Sequence, residues 1–307
     1  MNIPNNHKEL TEQSILKCKR LVQLKYWDNI NTVKLMAWFN NFKNDEEKFL
    51  AACILESIIF RNNAAIQAFS SHIFHVMLPN ILENLGIYEV DSLSKWEQRL
   101  ISTNARNLLP FRFTTIEGID RKTGKSGQAL LRDIQRLHFD KELILSVDTL
   151  VDQKFISRVN KSKAFNTVII LDDVQVTGGQ FNSFIKKYDL SNSPFNYIYI
   201  PLAAFDKSLN VINGKHNNIF VFPVETLNSD HSFFSINNEV FNFCEPTMLE
   251  GLKDLYNSII EENKLVMDEP YGYGEHALTY VFSNSTPNNN LGILSYQNEQ
   301  WNKLFTR

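Results

Sequence analysis

Glycine is scarce in this chain, with 11 among 307 residues, and cysteine scarcer, with three. So few glycines make any cluster of them informative. Cys18, Cys53 and Cys244 lie far apart with no C-x-x-C pair. An odd, scattered set argues against a disulfide framework and against a structural zinc site. No apolar run reaches the length of a bilayer span. The polar N-terminus MNIPNNHKELTEQ is not a signal peptide. The expectation is a soluble cytoplasmic protein with no membrane partner. Positive charge is not in excess either. The formal net charge is -3, so no whole-chain field draws the protein to nucleic acid or anionic lipid. A local basic patch stays open.

What is present is ordinary globular material. Hydrophobic residues make up 43% and charged residues 21%, which excludes a wholly disordered chain. The length suffices for one large domain or two modest ones. From Glu9 to about Asn107 the texture is helical, with apolar residues at three- and four-residue spacing, as in Phe49, Cys53, Ile54 and Ile58. Asn44-Asp45-Glu46-Glu47 supplies a cap and an acidic first turn. Four to six helices are expected there. After Leu109-Pro110 strand-like runs alternate with helical ones. PFRFTTI (110–116), NTVIIL (166–171), Tyr197 to Phe205 and NIFVFP (218–223) read as strands. Residues 127–137, 178–188 and 246–263 read as helices. Alternation of this kind implies an α/β fold with a parallel sheet covered on both faces. The tail from Pro270 reads as turns around one strand, Ala277 to Phe282.

The most informative stretch is Thr167 to Phe181, TVIILDDVQVTGGQF. A buried strand leads into Asp172 and Asp173, then Thr177-Gly178-Gly179, then a helix. In an open α/β sheet ligands bind beyond the carboxyl ends of the strands. The free N–H groups of a glycine turn at a helix start suit a phosphate. Paired carboxylates suit sugar hydroxyls or a hard divalent cation. One loop would then hold both ends of a ribose 5-phosphate. The plainer alternative is a strand-turn-helix with a solvated acidic corner.

This segment resembles the 5-phosphoribosyl pyrophosphate (PRPP) motif of the type I phosphoribosyltransferases. The resemblance implies a helical N-terminal domain (1–107), a Rossmann-like core (108–265) and an irregular C-terminal hood (266–307). It implies that Asp172 and Asp173 bind the ribose 2- and 3-hydroxyls and hold Mg²⁺ indirectly. It implies that Val176, Thr177, Gly178, Gly179 and Gln180 wrap the 5-phosphate. Two positions depart from the motif. Gln180 replaces a hydroxyl residue, and Val176 stands where purine-salvage members carry an acid that serves as general base. A 6-oxopurine transfer by that route is disfavoured, and the acceptor is not readable. A module that senses PRPP or a nucleotide without chemistry is the alternative.

A second segment, GIDRKTGKSG (118–127), lies between a strand and a helix. Arg121, Lys122 and Lys125, with Ser126 and Gly127 at the helix start, are suited to pyrophosphate. Arg132 and Arg136 lie further along that helix. A solvated loop is the plain alternative. The same segment nearly matches a P-loop, G-x-x-x-x-G-K-[ST], but Gly118 and Gly124 are one residue too far apart. A P-loop NTPase is the third reading.

The tail carries Gly272-Tyr273-Gly274, an apolar strand, Thr286-Pro287-Asn288-Asn289, and a closing Trp301, Leu304, Phe305 and Arg307. It resembles the tail of bacterial phosphoribosyltransferase-like proteins, some of which occur in anti-phage cassettes that encode a reverse transcriptase with its RNA. That resemblance implies a toxic effector of retron type, restrained by protein or RNA partners. Homo-oligomerisation stays open. Tyr273, Asn284, Asn288 and Asn289 are candidates for an acceptor pocket, against a plain structural cap. His72 and His75 lie one turn apart, too few for a metal site on their own. His231 and His276 read as surface or packing residues, and Phe233 to Phe243 as core or a partner surface.

Overall fold

The computed structural model describes residues 3–116, 126–162, 164–212, 214–242 and 245–307. The chain divides into two compact units. One is residues 66–227, and the other joins 1–65 to 228–307. These units differ from the three consecutive segments expected. The helices after residue 65 belong with the α/β part, and the first helices fold with the chain's end.

The strands among the described residues are β1 (Ile59–Arg61), β2 (Phe111–Thr114), β3 (Thr167–Gln175), β4 (Asn196–Phe205), β5 (Ile219–Val221), β6 (Glu225–Leu227) and β7 (Tyr280–Phe282). In the unit 66–227, β2 to β6 form a parallel sheet of order β2-β3-β4-β5, with β6 also on β4. The register is continuous along the central pair, from Thr167 opposite Asn196 to Gln175 opposite Ala204. Val168, Ile169, Ile170 and Leu171 are buried, as a strand covered on both faces requires.

β5 and β6 are two stretches of one edge. Tyr197 to Tyr199 pair with the first and Ala203 to Phe205 with the second. The break lies opposite Pro201, which still accepts from Val224 but has no N–H to donate.

Two crossovers leave the sheet centre in opposite directions. From β2 the chain runs through the helix Ser126–His138 and returns at Ile144, which bridges Phe113 in parallel. Since β3 flanks β2 on its other side, that return is outward. From β3 the chain runs through the helix Gly179–Lys187 to β4, on the opposite side. Right-handed crossovers in opposite directions place their helices on opposite faces.

The helical readings hold in type and nearly in extent. The two crossover helices and Pro246–Glu262 match the spacing. The first third holds His7–Gln23, Thr32–Phe39 and Asp45–Glu56. It continues with Asn63–His72, which passes through a π turn (Ile73–Met77) into Leu78–Asn84, and then Leu93–Ile101 and Ala105–Leu108. Asn44 caps as expected, accepting from Glu47 N at 2.8 Å. The exception is β1, inside the supposedly helical third. It pairs in parallel with β7, from Ile59 opposite Tyr280 to Arg61 opposite Phe282. The helix before it ends at Ser57, and Ile58-Ile59-Phe60 then favours extended backbone. In this unit Trp38, Phe42, Trp301, Leu304 and Phe305 share one core. The closing aromatics of the tail are packing residues.

Arg112 of β2 is 1% exposed and donates to the carbonyls of Arg106, Leu109 and Phe111 at 2.7, 3.0 and 2.6 Å. Its guanidinium lies over Phe165, 4.6 Å from the ring centre. Burial, reinforced by Arg106, pushes its pKa down to about 10. Replacing it leaves buried carbonyls without a donor. Arg112→Leu is expected to cost about 2–4 kcal/mol, measured by urea unfolding.

His138 stacks on Phe74 at 4.7 Å, contacts Ser70 Oγ at 3.0 Å and meets the His75 ring edge-on at 5.8 Å. Burial, and then the charge of His75, holds its pKa below the ordinary imidazole value. A pKa lowered on folding means that protonation favours the unfolded chain. The stability is therefore complete above the unfolded pKa, about 6.5, and is lost as pH falls. The melting temperature is expected to drop between pH 7 and pH 5, with a shallower drop in His138→Gln.

Candidate functional site

The sheet reverses its strand order between β2 and β3. Such a reversal, at the carboxyl ends of the strands, is where an open α/β fold leaves a crevice. Thr115, just past β2, and Asp172, in β3, both reach this point. A Cβ built on Gly127 would lie 2.5 Å from Thr115 Oγ1 and 3.0 Å from Asp172 Oδ1. Gly127, in the first turn of Ser126–His138, can come this close only because it has no side chain. Thr115 is 4% exposed, and its Oγ1 has no hydrogen-bond partner. An orphaned buried hydroxyl is costly unless something else completes it.

The sequence reading ended the strand at the two acids. The structure carries β3 on to Gln175, with Asp172 in register with Pro201 and Val174 with Ala203. The paired positions pass from Asp172 to Val174, so the ladder skips Asp173. Asp172 is 6% exposed and accepts from the Tyr199 hydroxyl at 2.9 Å through Oδ2. Burial first, and then the nearby Asp172 carboxylate, holds the Tyr199 phenol well above the ordinary tyrosine pKa. Asp173 is half-buried, and its Oδ1 accepts from Val174 N at 2.8 Å.

After β3 the turn closes as its glycines predict. Gly178 is left-handed, at φ 72°, and caps the helix Gly179–Lys187, a conformation that costs a non-glycine residue about 1–2 kcal/mol. Gly179 N donates to Thr177 Oγ1 at a long 3.3 Å. Val176 is buried, while Gly179 and Gln180 are exposed. The helix is short, at nine residues, and its first N–H groups have no intrahelical acceptor. Beneath the turn, buried Gln175 donates to Ser208 Oγ at 3.1 Å, and its Oε1 has no partner.

Thr115, Gln175, Tyr199 and Ser208 were not singled out by sequence. Thr115 had a weak signal, as a polar residue closing an alternating strand. Tyr199 had none, because its tie to Asp172 follows from strand register. In the second segment Arg121, Lys122 and Lys125 lie outside the described residues. Ser126 opens its helix and Gly127 reaches the crevice, while Arg132 and Arg136 are exposed. The P-loop reading rests on the same undescribed stretch.

Among the lesser candidates, Tyr273 is 46% exposed and Asn289 is buried. Asn289 donates to Tyr273 O at 2.7 Å, and Tyr273 N donates to Asn288 O at 2.8 Å. These residues tie the tail to itself, and Asn284 is exposed. His231 forms a capping box with Asn228. His75 pairs with Glu97 at 3.1 Å. Among the described residues no three His, Cys, Asp or Glu side chains group as a metal site, and no helix is long and apolar enough to cross a membrane. Phe233 and Phe241 are core residues.

Gly127→Ala is expected to cost about 1–3 kcal/mol by overpacking. Part of that loss should return when Thr115→Ala is added, because the two sites share one contact. Urea unfolding of the single and double variants reads both effects.

Comparison with curated proteins and with solved structures gives no match. A family model does match, over residues 35–307, and with the parallel sheet and the acid-to-glycine turn in place the chain belongs to PRTase-CE, a phosphoribosyltransferase-like family.

Proposed function

We propose that the chain binds PRPP with Mg²⁺ at the β2–β3 crevice and acts at ribose C1, releasing pyrophosphate. The observation that supports this most is the convergence of Asp172 and Thr115 on Gly127 at the strand-order reversal, with the left-handed Gly178 following β3 in the chain. A ribose 5-phosphate presents hydroxyls at one end and a dianion at the other. Asp172 and Asp173 accept the hydroxyls. The N–H groups of Gly178, Gly179 and Gln180 take the phosphate, with Val176 and Thr177 shaping the turn. Gly179 N exchanges its long bond to Thr177 for a phosphate oxygen.

The departing pyrophosphate lies at the start of Ser126–His138. Free helix N–H groups at Ser126 and Gly127 suit its charge, and Arg121, Lys122 and Lys125, which lie outside the described residues, are the cations proposed to join them. The site fits a hard cation, since two carboxylates and an orphaned hydroxyl are oxygen donors. Asp172 and Asp173 would hold Mg²⁺ through water, and the ion would supply charge neutralisation on the leaving group. Val176 is 4% exposed and apolar, so no base acts from that position. The rate then rests on positioning and charge stabilisation. The acceptor is a separate molecule whose chemistry this site does not specify. The resemblance of the tail supports a role as effector of a retron-type anti-phage cassette, gated by a reverse transcriptase and its RNA.

A second reading, PRPP sensing without turnover, is favoured by Val176 and Gln180. A turnover assay over candidate acceptors separates the two.

The test is calorimetry of PRPP and of ATP, each with Mg²⁺, on the native protein and on Asp172→Asn/Asp173→Asn. Micromolar PRPP binding that disappears in the variant is expected. Tight ATP binding without PRPP binding would replace this reading with the NTPase.

A further inference from the structure

Tyr199 touches both halves of the proposed site and is assigned to neither. It is 1% exposed in β4. Its hydroxyl donates to Asp172 Oδ2 at 2.9 Å. Its ring stacks on Phe181, with centres 4.0 Å apart and planes 23° apart. Phe181 lies in the first turn of Gly179–Lys187, directly after the exposed N–H groups proposed to take the phosphate. One side chain thus bonds the acid at the sugar end and packs the helix at the phosphate end.

The two contacts do different physical work. Hydrogen bonds to an ionised oxygen are short, strong and directional. With Oδ2 held by Tyr199, Oδ1 is the oxygen left facing Thr115 and Gly127. The ring contact fixes how the helix start sits over β3 and β4, since close-packed aromatics leave little freedom to slide.

We infer that Tyr199 is a positioning residue that sets the spacing between the sugar-binding carboxylate and the phosphate-binding helix start. This rests on the ribose 5-phosphate reading above. A rigid ligand that spans both subsites is sensitive to that spacing, whereas a ligand that fills only one is not.

Two variants separate the contacts. Tyr199→Phe keeps the ring and removes the hydroxyl. Phe181→Leu keeps the hydroxyl and removes the stacked partner. Ribose 5-phosphate and inorganic phosphate are the probes, titrated with Mg²⁺ and followed by NMR, with thermal unfolding as the control for folding. The ratio of the two affinities reports the sugar's contribution. In Tyr199→Phe that ratio is expected to fall on the order of 10-fold, with phosphate affinity unchanged. In Phe181→Leu both affinities should fall together, leaving the ratio near that of the native protein. An unchanged ratio in Tyr199→Phe, or an equal loss for both probes, would overturn the inference. So would a ratio that collapses in Phe181→Leu while phosphate binding is kept. If the native protein binds neither probe nor PRPP, it is the ribose 5-phosphate reading that fails.

Discussion

A carboxylate buried in the central strand of a parallel sheet constrains the rest of this site. Asp172 is nearly inaccessible, and an ionised group in such a place is costly unless it is hydrogen-bonded. The Tyr199 hydroxyl meets that need from the next strand, which requires β3 and β4 to hold their register. The same register holds from Thr167 to Gln175, with only Asp173 passed over. The other carboxylate oxygen needs room, and the absent side chain of Gly127 leaves it. Strand register, a buried phenol and a bare α-carbon are therefore parts of one arrangement around a single acid.

The location of that acid follows from topology. The chain leaves β2 outward to Ile144 and leaves β3 toward β4. Such a divergence is where an open α/β sheet leaves room for a ligand at the carboxyl ends of its strands. Among the described residues Thr115 Oγ1 and Gln175 Oε1 are buried without a partner, as are Asp28 Oδ1, Arg112 Nε and Trp301 Nε1 elsewhere. The edge strand, interrupted opposite Pro201, shows the same economy of backbone hydrogen bonding away from the site.

Membership of a phosphoribosyltransferase-like family and an α/β fold with a parallel sheet agree with each other. The fold places the acids and the glycine turn in order along one strand and into the helix that follows it. It does not by itself choose an acceptor, since that depends on groups placed over the crevice rather than within the sheet.

Local chemistry was legible in the sequence. Apolar runs marked β3 and β4, three- and four-residue spacing marked the crossover helices, and the Thr-Gly-Gly turn marked the start of the helix Gly179–Lys187. Each of these is decided within a few residues, by side-chain periodicity or by the steric freedom of glycine. What only the tertiary structure decided lies between distant segments. It extended β3 past the acids, to Gln175. It paired Ile59–Arg61 with Tyr280–Phe282, far apart in the chain. It joined Tyr199 to Asp172 and Thr115 to Gly127. Strand partners and registers are chosen by the whole core at once, and a linear pattern of residues carries no record of which strand will lie beside which.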